Sequence, residues 1–211
     1  MSNDIKTGRM VLGPVGTNCY FMFREDKKDA IVFDPADRGA DIFNALKERG
    51  ITVGAIVLTH GHFDHISGVA KLRQLSHCKI YAGTDEQELL GSEYLNRSEA
   101  MGIPVTVTPD ELVRDGQELT LCDITMKVFA TPGHTIGSVC YYVEEAGVVI
   151  SGDTLFEGSV GRTDMPTGDM GAQIRSIKEK LLTLPDETIV YPGHGNSTTI
   201  GEEKKYNPFI A

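Results

Sequence analysis

Within six residues the chain offers three imidazoles and a carboxylate, His60, His62, Asp64 and His65, in the spacing H-x-H-x-D-H. They directly follow the apolar run Ala55-Ile56-Val57-Leu58. Alternate residues of an extended segment share a face, so a chain leaving a buried strand aims His60 and His62 to one side. Asp64 and His65 then fall on the turn into a helix. Neutral imidazole nitrogen and carboxylate oxygen are donors that suit zinc, iron or manganese. Of the six histidines, three sit in this stretch. Two more end strand-like runs that finish in Pro-Gly: Val128-Phe129-Ala130-Thr131-Pro132-Gly133-His134 and Thr188-Ile189-Val190-Tyr191-Pro192-Gly193-His194. His77 stands outside the pattern and reads as structural or solvent-facing.

Asp153 follows the apolar run Val148-Val149-Ile150. An isolated aspartate in such a place is ordinarily a turn or cap residue, but this one ends a strand as the histidines do. Together His60, His62, Asp64, His65, His134, Asp153 and His194 exceed the needs of one catalytic zinc, which takes about three protein ligands and keeps an open position. Two adjacent divalent ions sharing Asp153 are expected. Zinc is the first choice, with iron or manganese as alternatives.

The elements that must position these residues are short. Strands are expected at Met10–Leu12, Asn18–Phe23 and Ala30–Phe33, separated by Gly13-Pro14-Val15-Gly16 and a charged turn from Arg24 to Lys28. Ala40–Arg49 places Ile42, Phe43 and Leu46 on one helical face before Gly50. Val53–Leu58 is the strand that delivers the metal motif, and Gly68–Leu75 continues as a helix. Lys79–Ala82 reads as a strand, with Thr84-Asp85-Glu86-Gln87 as a capping box. Gly91–Pro104 shows no period and is expected to be loop with broken helix, a candidate lid. Val105–Thr108, Leu119–Leu121, Thr125–Thr131, Val139–Val143 and Val148–Ile150 read as further strands. Met170–Leu182 is a helix before the strand Thr188–Tyr191 and a short tail. Each half repeats strands, a ligand loop and interleaved helices, which two face-to-face sheets with helices outside would satisfy.

At 211 residues the chain suits a single domain, residues 1–211. A formal charge of -10 without a Lys/Arg cluster argues against nucleic acid and anionic membranes as partners. No run of about 18 apolar residues occurs, and Met1–Lys6 has no leader-like apolar region. A cytoplasmic protein is expected. Cys19, Cys78, Cys122 and Cys140 are scattered, with no C-x-x-C, and read as reduced, mostly buried thiols. Tyr141, Tyr142 and Tyr191 read as sheet-packing residues.

The H-x-H-x-D-H stretch, Thr131-Pro132-Gly133-His134-Thr135, Gly152-Asp153 and Pro192-Gly193-His194-Gly195 resemble the metallo-β-lactamase fold superfamily over nearly the whole chain. Gly152-Asp153-Thr154-Leu155-Phe156 and Gly161-Arg162-Thr163-Asp164 resemble the short, single-domain type of its glyoxalase II-like (hydroxyacylglutathione hydrolase-like) members. The resemblance implies an α/β fold, an αββα four-layer sandwich. It also implies a first metal on His60, His62, His134 and Asp153, and a second on Asp64, His65, His194 and the shared Asp153. The commonest zinc subclass of β-lactamases has a cysteine where Asp153 stands, so β-lactam hydrolysis is not expected. Flavodiiron proteins have glutamate where His62 stands. Full-length glyoxalase II adds a C-terminal helical domain, and here the chain stops at Ala211.

By this resemblance the substrate is a small anionic thioester such as S-lactoylglutathione. A hydroxide bridging the ions would attack its carbonyl, with Asp64 and Asp153 as the catalytic carboxylates. Arg162 is expected to bind the anionic part of the substrate, although a pair with Asp164 would serve structure equally. A persulfide dioxygenase of the same fold is the alternative enzyme, with one Fe(II) on His60, His134 and Asp153. A metal-stabilised binding protein is the non-enzymatic alternative.

Overall fold

The computed structural model describes residues 5–210. Met1–Asp4, which carry part of the expectation about a leader, lie outside that range. The first half runs β1 (Ile5–Leu12), β2 (Thr17–Arg24), β3 (Asp29–Phe33), α1 (Gly39–Lys47), β4 (Thr52–Val57), α2 (Phe63–Ile66), α3 (Val69–Ser76), β5 (Lys79–Gly83), α4 (Gln87–Leu90) and β6 (Glu111–Val113). These strands form a six-stranded sheet in the order β1-β2-β3-β4-β5-β6. It is antiparallel up to β3 and parallel from β3 to β6. The switch follows from the connections, because helices link β3 to β4 and β4 to β5, and parallel neighbours need such crossovers.

The second half runs β7 (Glu118–Leu121), β8 (Ile124–Ala130), β9 (Val139–Val143), β10 (Val148–Gly152), β11 (Leu155–Phe156), β12 (Ser159–Val160), α5 (Met170–Glu179), β13 (Ile189–Pro192), β14 (Thr198–Thr199) and α6 (Ile200–Tyr206). Its main sheet has the order β14-β13-β10-β9-β8-β7, and β11 pairs with β12 apart from it. Only β10 and β13 are parallel in this sheet, joined through α5.

Three apolar clusters make four layers. Tyr20, Met22, Ile31, Phe33 and Val57 of the first sheet meet Met126, Val128, Tyr141, Val143 and Ile150 of the second. On the outer face of the first sheet, Ile42 and Leu46 of α1 and Val69 and Leu72 of α3 cover Val32 and Ile56. On the outer face of the second, Ile177 of α5 and Ile200 of α6 cover Val149 and Val190. The αββα sandwich is therefore present. No helix among the described residues is long and apolar enough to cross a membrane.

Several local expectations change. Val105–Thr108 forms no strand; Pro104 and Pro109 bracket it, and Val107 packs on the helix side of the first sheet. The sheet edge goes instead to β6, with Asp110 Oδ2 accepting from the Ile80 amide at 2.8 Å. Thr84 does not cap: its hydroxyl donates to Val113 O, and a 3-10 turn precedes the single turn of α4. The end of the Met170–Leu182 helix is likewise a 3-10 turn, Leu181–Thr183. The expected tail is structured, since β14 pairs with β13 and α6 buries Ile200. Gly91–Pro104 is a succession of turns with no helix.

One hydrogen bond spans the two sheets where the metal motif leaves β4: Tyr141 Oη donates to Leu58 O at 2.8 Å, fully buried. Tyr141→Phe keeps the ring packing and strands that carbonyl. Urea unfolding should show a loss of about 1–3 kcal/mol. Unchanged stability would mean that the carbonyl finds another partner.

Candidate metal centre

Four strand ends bring the seven donors together. β4 hands over to His60 and His62; α2 carries Asp64 and His65, with His62 in extended conformation at its N-cap. β8 precedes the turn bearing His134, β10 precedes Asp153, and β13 precedes His194. Two of these turns require glycine. Gly152 has φ +49, and a Cβ there would overlap Thr59 Oγ1; Gly133 has φ +150, and a Cβ would meet the Gln173 backbone.

The donors form three overlapping groups, His60/His62/His134, His60/His65/Asp153 and Asp64/His65/His194, each with its ligand atoms within 4.8 Å of one another. His62 Nδ1 lies 2.8 Å from His134 Nε2. Asp153 faces both sides: its Oδ2 is 3.4 Å from His134 Nε2 and 3.5 Å from His194 Nε2, and its Oδ1 is 3.4 Å from His65 Nε2. Asp64 Oδ2 lies 3.2 Å from His194 Nε2. His77, by contrast, is exposed at the left-handed C-cap of α3. The four cysteines are free thiols, none of them in these groups.

The donor set fits divalent cations on a physical ground. His60 Nε2, His62 Nε2, His65 Nε2 and Asp153 Oδ1 are buried without a hydrogen-bond partner. Buried polar atoms are ordinarily satisfied, and four orphans in one cluster of nitrogen and oxygen donors suit a cation. The opposite edges of the His134, His65 and His60 rings are held, as is usual for metal-binding imidazoles, whereas His62 turns Nδ1 toward His134 and leaves Nε2 without a partner. His134 Nδ1 donates to Arg162 O at 2.7 Å. His65 Nδ1 lies 2.9 Å from Asp34 Oδ2. His60 Nδ1 lies 3.1 Å from Thr59 Oγ1, which itself donates to Asp34 Oδ2 at 2.6 Å. These contacts assign the proton to Nδ1 of both His60 and His65 and turn Nε2 into the cluster.

Without a cation the site balances its charge with protons. Burial, helped by the neighbouring imidazoles, drives His60 well below the usual imidazole range and His62 to about 3. Burial also pulls on His65 and His194, but the carboxylates prevail. Asp64, Asp153 and Asp34 hold His65 well above its ordinary value, and Asp153 and Asp64 lift His194 to about 9. In return, and against burial, His65 and His194 hold Asp64 at about 2 and Asp153 well below the carboxylate range.

Several supporting residues escaped the sequence reading. Asp34 is the most connected, and its position after β3 is the same strand-end signal that picked out Asp153. Thr17 Oγ1 donates to Asp64 Oδ2 at 2.7 Å. Asn18 Nδ2 donates to Pro192 O and Gly195 O, clasping the His194 turn. Glu86 is fully buried and accepts from Gly61 N, Gly137 N and Thr135 Oγ1, which ties the first ligand loop to the His134 loop. Burial pushes Glu86 up to about 7 against the pull of those donors. Nothing in its local sequence marks it.

A cavity of about 530 Å³ opens over the donors, walled by Phe63, Met101, Phe156, Met165, Arg97 and Arg162 among others. Arg162 gives Nε and Nη2 to Asp164 at 2.6 and 2.7 Å, and both side chains are exposed.

Two measurements check this account. Asp34→Asn weakens the anchor of His65 and Thr59, so zinc affinity from chelator competition should fall roughly tenfold to a hundredfold; an unchanged affinity would remove Asp34 from the metal centre. The raised His194 value contributes stability to the metal-free chain that is complete below pH 6.5 and lost as pH rises through about 9. The Tm of metal-free protein should therefore fall across that window more than that of zinc-loaded protein. Parallel pH profiles would contradict the proton balance.

Known proteins are similar to this chain along most of their length. The probable metallo-hydrolase YqgX of Bacillus subtilis is 42% identical over 208 residues, 98% of each chain. The hydroxyacylglutathione hydrolase GloC of Haemophilus influenzae is 34% identical over 92% of each chain. Among solved structures, the BLEG-1 B3 metallo-β-lactamase superposes with TM-score 0.93 at 41% identity, covering 98% of this chain and 100% of that one. TTHA1623 in a di-iron-bound form gives 0.87 at 36% identity, covering 96% and 100%. ETHE1 from Myxococcus xanthus gives 0.83 at 29% identity, covering 98% and 84%. The family model described as the metallo-beta-lactamase superfamily matches residues 12–194, from the end of β1 to the last of the seven donors, and the chain belongs to that superfamily.

Proposed function

We propose that this protein is a two-metal hydrolase of small anionic thioesters such as S-lactoylglutathione, working in the cytoplasm with zinc as the first candidate ion. The observation that carries the reading is the convergence of seven donors into three overlapping groups, with Asp153 between His134 on one side and His65 and His194 on the other. His60, His62 and His134 would hold one ion and Asp64, His65 and His194 the other, with Asp153 shared. A single iron on His60, His134 and Asp153 would leave Asp64, His65 and His194 without coordination work, which disfavours the dioxygenase. The thioester is favoured by the relative named hydroxyacylglutathione hydrolase.

Bound divalent cations supply a water of lowered pKa and a Lewis acid for a carbonyl oxygen. The chain's own residues do the positioning. Thr17 and the His194 imidazole hold the Asp64 carboxylate. Phe63, Met101, Phe156 and Met165 give the cavity an apolar wall against an acyl chain or thioether sulfur. Arg162 stands in the same wall, and meeting a substrate anion there would require it to give up part of its pair with Asp164.

The test is anaerobic turnover of S-lactoylglutathione by zinc-loaded protein, with Asp64→Ala and His194→Ala beside wild type. Both variants should lose at least about a hundredfold in kcat, because each removes a ligand of the second ion. Thioester left intact, with oxygen consumed on glutathione persulfide by an iron-loaded protein, would replace hydrolysis by dioxygenation. The B3 metallo-β-lactamase neighbour makes β-lactam hydrolysis a competing reading, so a chromogenic cephalosporin belongs in the same assay, and its selective cleavage would displace the thioester.

A further inference from the structure

Arg97 lines the same cavity as His62, Asp64, His134, Asp153 and His194, and among the described residues its cation is unpaired. Among the described residues no carboxylate lies within ion-pair distance of it, and no hydrogen bond is made by its guanidinium. Arg162, Arg24, Arg38 and Arg73 have carboxylate partners, and the other arginines without one, Arg9, Arg49, Arg114 and Arg175, are exposed. Yet Arg97 is half-buried. A cation partly withdrawn from water without a counter-charge is costly, and such groups are ordinarily paired.

Its backbone is also held with care. Arg97 has φ 70, in the left-handed region that arginine seldom occupies. On either side Asn96 and Ser98 are fully buried and fastened. Asn96 Nδ2 donates to Val105 O at 2.7 Å, Ser98 N donates to Asn96 Oδ1 at 2.9 Å, and Val105 N donates to Ser98 Oγ at 3.1 Å. Asn96 O in turn accepts from Phe63 N at 2.9 Å, at the start of the helix that carries Asp64 and His65. The segment is thus a fixed wall tied to the donor-bearing helix, and not a hinged flap.

From this geometry we infer that Arg97 is a specificity-determining residue that binds a carboxylate on the thiol carrier of the substrate, in the cavity it shares with the Arg162–Asp164 pair. The inference rests on the thioester reading and names the part of the substrate that Arg97 recognises. Guanidinium presents paired donors that match a carboxylate. Arg97 can meet that group without breaking an existing pair, whereas Arg162 cannot.

The experiment reads equilibrium binding and needs no turnover, so its outcome is separate from whether thioesters are hydrolysed. Zinc-loaded wild type, Arg97→Asn, Arg97→Lys and Arg162→Gln are titrated calorimetrically with S-hexylglutathione and with the uncharged thioether S-hexyl-N-acetylcysteamine. Asparagine tolerates the left-handed backbone, so Arg97→Asn removes the charge and leaves the turn. The expected result is a Kd for S-hexylglutathione raised about tenfold in Arg97→Asn, restored in part by Arg97→Lys, and raised less by Arg162→Gln. Binding of the uncharged thioether should not change. Equal binding of S-hexylglutathione by Arg97→Asn and wild type, equal losses for both probes, or no binding of S-hexylglutathione to wild type would each overturn the inference.

Discussion

The candidate centre depends on one buried carboxylate that lies outside the donor set. Asp34 sits at the end of β3 in left-handed conformation, its own amide donating to Val57 O of the neighbouring strand. Its Oδ1 accepts from Thr59 N, and its Oδ2 faces Thr59 Oγ1 and His65 Nδ1. Through Thr59 it reaches His60, and directly it reaches His65, so a single side chain orients imidazoles in both halves of the cluster. Buried groups connected in this way rigidify a site only when every member is satisfied. Here the outer ring edges of His60, His65 and His134 are satisfied, and His60 Nε2, His65 Nε2 and Asp153 Oδ1 are left without partners in the cluster.

That division explains the electrostatics. Five imidazole rings crowd together, with centroids as near as 4.1 Å for His60 and His65. A group of this size cannot be wholly protonated or wholly neutral beside Asp64, Asp153 and Asp34. Without cations, His65 and His194 hold protons for the carboxylates, whereas burial keeps His60 and His62 neutral. A divalent cation would displace those protons, because metal-binding imidazoles must be neutral. An acidic chain can in this way present a locally positive cavity to an anion.

Much of the site was legible because chemistry and strand ends coincide. His60, His62, Asp64, His65, His134, Asp153 and His194 each follow an apolar run or the turn that it opens, and the fold brings all seven into overlapping groups. The alternation of strands and helices likewise foretold two sheets between helical layers. What could not be read was long-range. Glu86 looks like part of a helix cap in its own neighbourhood, and only the approach of Gly61 and Gly137 from distant loops gives it a role. Asn18 clasps a turn at the far end of the chain. The Val105–Thr108 segment has strand-like residue types, but the prolines around it and the competition from β6 decide otherwise. Residues past His194 looked like a tail because Ile200 is the apolar residue that α6 buries, beside the hydrogen-bonded Glu203, with no periodic pattern to announce it.

The central claim is that Asp153 serves two ions at once. Elemental analysis of protein reconstituted with excess zinc and freed of unbound metal tests it directly, comparing wild type with Asp153→Ala. About two zinc ions per wild-type chain are expected, as for a site of the two-metal kind, with depletion of both sites in the variant. One ion per wild-type chain, or a variant that loses a single ion and keeps the other at full occupancy, would contradict it.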